Sequence, residues 1–182
     1  MIKYDTIFLD RDGTLNFDPG YIKNLNQFEF YNFSIPALKL LSDHGNRFCI
    51  VSNQSGVSRG LIMESDLNKI HNYISNQFAE NDIHLLDIYV CMDHPDSATD
   101  RRKPGIGMFI QAAEDHAIDL RKSLMIGDDV ADISAGNELG MDTMLVLTGR
   151  GNQTKKNLSE NINSTYIVKN ILYGAQLITE TT

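Results

Sequence analysis

The stretch TIFLDRDGTLNFD, residues 6–18, decides the fold. Ile7-Phe8-Leu9 is a continuous apolar run, the pattern of a strand buried on both faces. It ends abruptly in Asp10, Arg11 and Asp12, followed by Gly13 and Thr14. A polar strand end before a glycine turn is the ordinary reading of such a segment. Two carboxylates one residue apart nevertheless repel each other and lose hydration when buried. Positive charge is therefore expected to gather around them.

Outward from this strand, apolar runs and helical patterns alternate. RFCIVS (47–52), DIYVCM (87–92), KSLMIGD (122–128) and DTMLVL (142–147) read as further strands. Between the first two, Ser34 is expected to cap a helix with Pro36 in its first turn, Leu38 and Leu41 on its inner face, and Gly45 after its end. Leu67, Ile70, Ile74 and Phe78 fall at helical spacing. Phe109 and Ala112-Ala113 mark another helix, and residues 130–139 a fourth, stopped by Gly140. Beyond Gly151 the chain is polar, with a short strand at Tyr166–Val168 and a final helix. This alternation predicts an α/β fold: a Rossmann-like parallel sheet with helices on both faces, forming one domain over residues 1–182.

The bulk numbers narrow the function. The 182 residues suit one domain with a sizeable core. A net charge of −8 disfavours nonspecific binding to nucleic acid or an anionic membrane. No apolar run approaches the ~18–20 residues of a membrane span. The N-terminus enters a strand within a few residues, which leaves no room for a signal peptide. The expectation is a cytoplasmic monomer with no nucleic-acid or membrane partner. Cys49 lies in an apolar run and reads as a buried thiol; with Cys91 it makes no disulfide framework.

In parallel sheets the functional groups gather at the carboxyl ends of the strands. That rule brings together Asp10 and Asp12, Ser52-Asn53, Arg102-Lys103, Asp128-Asp129 and Asp132. Alone, Ser52-Asn53 reads as a turn, Asp128-Asp129 as a helix cap, and Arg101-Arg102-Lys103 as a solvated loop. Together they are the parts of a phosphoryl-transfer site. Hard carboxylate oxygens suit Mg²⁺, Lys103 supplies a fixed positive charge, and Ser52 donates to phosphate oxygens. His44, His71, His84 and His116 have no motif partners and read as structural or exposed; His94 reads as a loop contact. Met125 and Met144 read as core.

DRDGT, SNQSG, RKP and GDDVAD, in this order at strand ends, resemble the four motifs of the haloacid-dehalogenase superfamily of phosphatases, over residues of about 7–151. The resemblance implies that Asp10 is the nucleophile and forms an aspartyl-phosphate, while Asp12 is the general acid and base. It implies that Ser52 binds the phosphoryl group and Lys103 holds it together with Asp10. Mg²⁺ would be bound by Asp10, the backbone carbonyl of Asp12, and Asp128, with Asp129 and Asp132 just beyond. Asn53, Arg59 and Arg102 would bind substrate. No large cap domain is expected, because no large insertion follows the first or third strand.

LDRDGT-x-N, Gly20-Tyr21, Phe28 and Phe30, NQSG with Arg59-Gly60, and RKP resemble more closely the heptose 1,7-bisphosphate phosphatases. This implies a small sugar phosphate as substrate. Histidinol-phosphate phosphatases usually carry NQDG, so Ser55 leans away from them. A nucleic-acid 3′-phosphatase and a non-catalytic partner-binding scaffold are the other readings. A degenerate scaffold would be expected to have lost Asp10, Asp12, Lys103 or Asp128. Two departures stand out. Relatives often hold structural zinc through a C-x-H and a C-x-C before RKP; here those positions are Cys91, Asp93, Thr99 and Arg101, so no structural zinc is expected. Many also carry lysine after GD, where this chain has Asp129.

Overall fold

The computed structural model describes residues 3–159 and 162–180. Six strands form one parallel sheet in the order β3-β2-β1-β4-β5-β6: β1 (Ile7–Leu9), β2 (Phe48–Asn53), β3 (Leu85–Cys91), β4 (Leu124–Gly127), β5 (Asp142–Val146) and β6 (Tyr166–Val168). β1 lies between β2 and β4, with Phe8 opposite Cys49 on one side and Met125 on the other. The chain builds outward through β2 and β3, then returns to β1 and builds the other way. The carboxyl ends of β1 and β4 therefore flank the topological switch point, where open α/β sheets form their crevice.

Strand alternation divides the core. Ile7 and Leu9 face one layer with Ile50, Ile126 and Val146, covered by α1 (Ser34–Asp43), α2 (Glu64–Glu80) and α6 (Ile171–Glu180). Phe8 faces the other with Cys49, Val51 and Met125, under α3 (Gly107–His116) and α4 (Val130–Glu138). The helical stripe on α2 is the expected one, with Leu67, Ile70, Ile74 and Phe78 all buried. Met125 and Met144 are buried core residues. Burial pushes the Cys49 thiol up to about 12, as befits an inert core cysteine.

Two expectations fail for tertiary reasons. Ser34 does not cap α1: the N-cap is Phe33, and Ser34 is the first helical residue. Its hydroxyl instead donates to the Leu15 carbonyl at 2.7 Å, fastening the segment after β1 to the helix. A helix α5 (Gly151–Asn157) occupies part of the tail read only as polar. GNQTKKN has no apolar stripe to announce it. It is held instead by Gly151, packed against the Val146 carbonyl where a Cβ would not fit, and by Asn152 Nδ2 donating to Leu147 O at 2.8 Å.

Residues 10–33 and 92–106 contain short 3-10 turns, Leu25–Gln27 and Pro95–Ser97, and isolated bridges from Asn16 to Asp12 and Phe30, with no inserted domain over the crevice. Among the described residues no helix is long and apolar enough to cross a membrane.

The Phe8 and Phe109 rings meet at 5.1 Å, both fully buried, and join β1 to α3. Phe109→Ala should lower unfolding stability by about 3–5 kcal/mol, because it leaves a cavity under the central strand. Met63→Ala, at a side chain 69% exposed, should change it by less than about 0.5 kcal/mol. Denaturant melts of the two variants provide the comparison.

Candidate active site

The crevice is organised by one ammonium. Lys103 Nζ donates to Asp10 Oδ1, Asp132 Oδ1 and the Val51 carbonyl, each at 2.7 Å, which uses all three of its protons. Asn53 holds its backbone from the end of β2: Asn53 Oδ1 accepts from Lys103 N at 3.0 Å, and Asn53 Nδ2 donates to Lys103 O at 2.9 Å. Asn53 lines the cavity, but both ends of its amide are thus engaged by Lys103.

Asp128 and Asp132 arrive from the β4–α4 junction. Asp129 caps α4 through Ala131 N at 3.0 Å, and Asp132 Oδ2 accepts from Asp129 N at 3.0 Å, forming a capping box. This box aims Asp132 at Lys103. Asp128 Oδ2 accepts from Arg150 N at 2.7 Å. Gly13 and Gly149, both with positive φ, close on the same carboxylate; a Cβ on either would overlap it. Glycine is required at both positions by conformation and by space.

Asp10, Asp128 and Asp132 bring carboxylate oxygens within 4.8 Å of one another. Burial pushes Asp10 up to about 7, with Lys103 pulling it down and Asp132 pushing it further up. Burial, then Asp10 and Asp132, push Asp128 up to about 8. Burial disfavours the charge on Lys103, yet Asp10 and Asp132 outweigh it and hold the ammonium above its ordinary range. One lysine faces three carboxyl groups, so ionising all three would leave two negative charges uncompensated. Among the described residues, Asp10 Oδ2 and Asp128 Oδ1 take no hydrogen bond, whereas both Asp132 oxygens are engaged. The donor set therefore fits a hard divalent cation on Asp10 and Asp128, with Asp132 behind them.

Asp12 has the opposite surroundings. Its Oδ1 accepts from Arg11 Nε and Asn16 Nδ2, each at 2.9 Å; its Oδ2 accepts from Arg11 Nη2 at 2.6 Å and Gln54 Nε2 at 2.7 Å. Burial works against its charge, but the Arg11 guanidinium and these donors hold the carboxyl below the usual range. Arg11 is completely buried, and Gln54 also donates to Ser52 Oγ at 2.9 Å. The sequence reading missed Arg11, Asn16 and Gln54. All three lie inside or beside the quoted motifs, and their polarity at a strand end was the only signal.

A cavity of about 300 Å³ opens over these groups, lined by Asp10, Asp12, Ser52, Lys103 and Asp128, with Tyr21, Arg102 and Arg150 among the residues around them. Arg59 is exposed and lies outside this lining. Arg102 reaches the cavity and donates to the Asp93 carbonyl at 3.4 Å. Arg150 Nη1 donates to Asp129 Oδ2 at 3.3 Å, so a guanidinium stands beside the aspartate that follows Gly127-Asp128.

The 93–103 loop is closed by hydrogen bonds. Asp93 Oδ2 accepts from Thr99 N at 2.8 Å and Thr99 Oγ1 at 2.6 Å, and Arg101 Nη1 donates to Gln111 Oε1 at 2.6 Å. His94 is a loop contact, accepting from Asp96 N at 3.2 Å. Among the described residues, neither it nor Cys91 joins the carboxylate grouping at the strand ends.

A central strand ending in DRD, a lysine joining two carboxylates and a crevice without a large cap define a haloacid-dehalogenase-like phosphatase. A HAD-hydrolase-like family model matches residues 100–173. The chain is 39% identical over 151 residues to the D-glycero-beta-D-manno-heptose-1,7-bisphosphate 7-phosphatase of Pasteurella multocida (strain Pm70), covering 79% of this chain and 82% of that protein. It is 40% identical over 136 residues to the enzyme of the same name from Haemophilus influenzae (strain Rd), covering 71% and 74%. The crystal structure of D,D-heptose 1,7-bisphosphate phosphatase from B. bronchiseptica, complexed with magnesium and phosphate, superposes with a TM-score of 0.88 at 28% identity, over 97% of this chain and 99% of that one. The chain belongs to the haloacid-dehalogenase-like hydrolases, in the family of these phosphatases, and is a phosphatase.

His71 on α2 has a buried Nε2 with no hydrogen-bond partner among the described residues. Burial and then Arg11 push its pKa down to about 4, against the pull of Asp12. The folded state therefore prefers the neutral ring. Its stabilising contribution is full above the ordinary value of 6.5 and is lost progressively as the pH falls from there to about 4. His71→Leu should flatten the acid side of the stability–pH curve by at most about 1.4 kcal/mol per pH unit, read from urea melts at pH 4.5, 5.5 and 7. Parallel curves for variant and wild type would contradict this.

Proposed function

We propose that this phosphatase hydrolyses a sugar phosphate monoester, D-glycero-D-manno-heptose 1,7-bisphosphate, through an aspartyl-phosphate on Asp10 with Mg²⁺ as cofactor. The observation that carries the reading is the excess of buried carboxylate over lysine at the floor of a small cavity. The named relatives support the sugar, and the magnesium and phosphate in the B. bronchiseptica enzyme support the ion. Asp10, the Asp12 carbonyl and Asp128 would hold Mg²⁺, which when bound neutralises phosphoryl oxygens and keeps the Asp10 charge available.

One carboxylate oxygen of Asp10 attacks phosphorus, and the other would stay on the cation. The bond from phosphorus to the sugar oxygen breaks, and Asp12 gives that oxygen a proton. Donors hold Asp12 ionised in the free enzyme; the phosphate arriving beside it raises its proton affinity, and from the singly protonated phosphoryl group of the bound monoester Asp12 takes the proton that it later donates. Ser52 donates to a phosphoryl oxygen, and Lys103 fixes Asp10 for in-line attack. Water then adds to phosphorus, Asp12 takes its proton, and the bond to Asp10 breaks to release inorganic phosphate. Arg102 at the cavity wall meets the non-reacting end of the substrate. The cavity volume suits a small molecule. Asp18 and Asp129 among its lining residues oppose a polyanionic nucleic-acid strand.

Phosphate release measured over heptose 1,7-bisphosphate, histidinol phosphate and a 3′-phosphorylated oligonucleotide should give the highest kcat/KM for the heptose. A preference for the oligonucleotide would remove the substrate assignment. Chelation should stop turnover and Mg²⁺ restore it, with Ca²⁺ a poor substitute because it prefers more ligands at longer distances. Asp10→Asn should lower kcat by about 10³-fold or more without unfolding the domain. Near wild-type release by that variant would remove the nucleophile assignment.

Asp93→Ala removes the acceptor that closes the 93–103 loop on Thr99. The expected result is a raised KM for the sugar phosphate with little change in kcat, because Arg102 is misplaced while Asp10 and Lys103 are not. An equal fall in kcat would place the loop in the chemical step instead.

A further inference from the structure

Gln54 joins two groups that the mechanism uses separately. It directly follows β2, and its backbone N donates to Cys91 O at 2.7 Å, which continues the pairing with β3. Its amide is thus delivered by the sheet rather than by a loose loop. The side chain is buried, and one nitrogen, Nε2, serves both Asp12 Oδ2 at 2.7 Å and Ser52 Oγ at 2.9 Å. The orientation of the amide is dictated by chemistry. An ionised carboxylate only accepts hydrogen bonds, so the end facing Asp12 has to be the NH₂ group.

Two consequences follow from that orientation. Ser52 Oγ accepts from Gln54, so its own proton is left to point elsewhere, and Ser52 lines the cavity. The Asp12 carboxylate, gripped by Arg11 on one edge, is fixed in rotation by Gln54 and Asn16 on the other two lone-pair directions. Of these three donors, only Gln54 links Asp12 to another side chain that lines the cavity.

We propose that Gln54 is a positioning residue, which aims Asp12 at the leaving oxygen and sets Ser52 as a donor to the transferring phosphoryl group. The proposal rests on the reading of Asp10 as nucleophile and Asp12 as acid and base. A proton from Asp12 matters most when the leaving group is a poor one. A sugar alkoxide needs it; p-nitrophenolate departs without it. Loss of aim therefore shows as a change in leaving-group selectivity, which a merely structural defect does not produce. The quantity to compare is kcat/KM, which reports the step in which the ester bond breaks and is blind to later hydrolysis of the aspartyl-phosphate.

The test uses Gln54→Met, which keeps length and removes the donor, with Gln54→Ala as the second variant and Asp12→Asn as reference. Both Gln54 variants should lose about 10²-fold in kcat/KM on the sugar phosphate and less than about tenfold on p-nitrophenyl phosphate, with melting temperatures near wild type. Asp12→Asn should show the same asymmetry more strongly. Equal losses on the two substrates in the Gln54 variants, with the asymmetry present in Asp12→Asn, overturn the proposal and leave the mechanism standing. No asymmetry in Asp12→Asn overturns the acid–base reading itself. Failure of both Gln54 variants to fold also overturns the proposal, since it assigns Gln54 to the structure instead.

Discussion

The ammonium of Lys103 is the interaction on which the rest of the site depends. It draws Asp10 from β1, Asp132 from the first turn of α4 and a carbonyl of β2 to one point, each at 2.7 Å. Three separate elements of the sheet edge are thereby locked together. A buried ion pair gains only where every polar partner is satisfied, and Lys103 meets that condition with its three protons. Its position depends in turn on Asn53, which grips its backbone from the end of β2. The residues that carry charge and the residues that carry backbone geometry are therefore different, and both are needed.

The two aspartates of DRD have opposite electrostatic surroundings although one residue separates them. Asp10 faces Asp128 and Asp132, and burial with like charge drives its pKa up to about 7. Asp12 turns away into four donated hydrogen bonds and is held below the ordinary range. Two carboxyl groups one residue apart are thus pushed apart in proton affinity by their surroundings alone. The intervening Arg11, buried completely, is the counter-charge that makes the difference.

The rim of the crevice is held by local hydrogen bonds and one ion pair. Asp93 accepts a pair of hydrogen bonds from Thr99, and these close the 93–103 loop. Arg150 brings a guanidinium beside Asp129, the residue that follows Gly127-Asp128. Its backbone N–H also holds Asp128, so one residue serves the buried carboxylate and the cavity wall together.

The strands, the long helix α2 and the strand-end aspartates were legible in the sequence, because burial imposes apolar periods that any window of residues displays. The order of motifs along the chain and the rule of parallel sheets then predicted which polar groups share one edge. The Asp129 cap of α4 was legible, but the start of α1 and the supporting donors were not. Ser34 looks like an N-cap until the Leu15 carbonyl claims its hydroxyl, and α5 has no apolar stripe. Gln54 lies 42 positions from Asp12, and nothing in its neighbours announces the bond. Local sequence determines the elements and the residue types delivered to the crevice. Which amide serves which carboxylate, and which carboxylate keeps its charge, is decided only when distant segments meet and exclude water from one another.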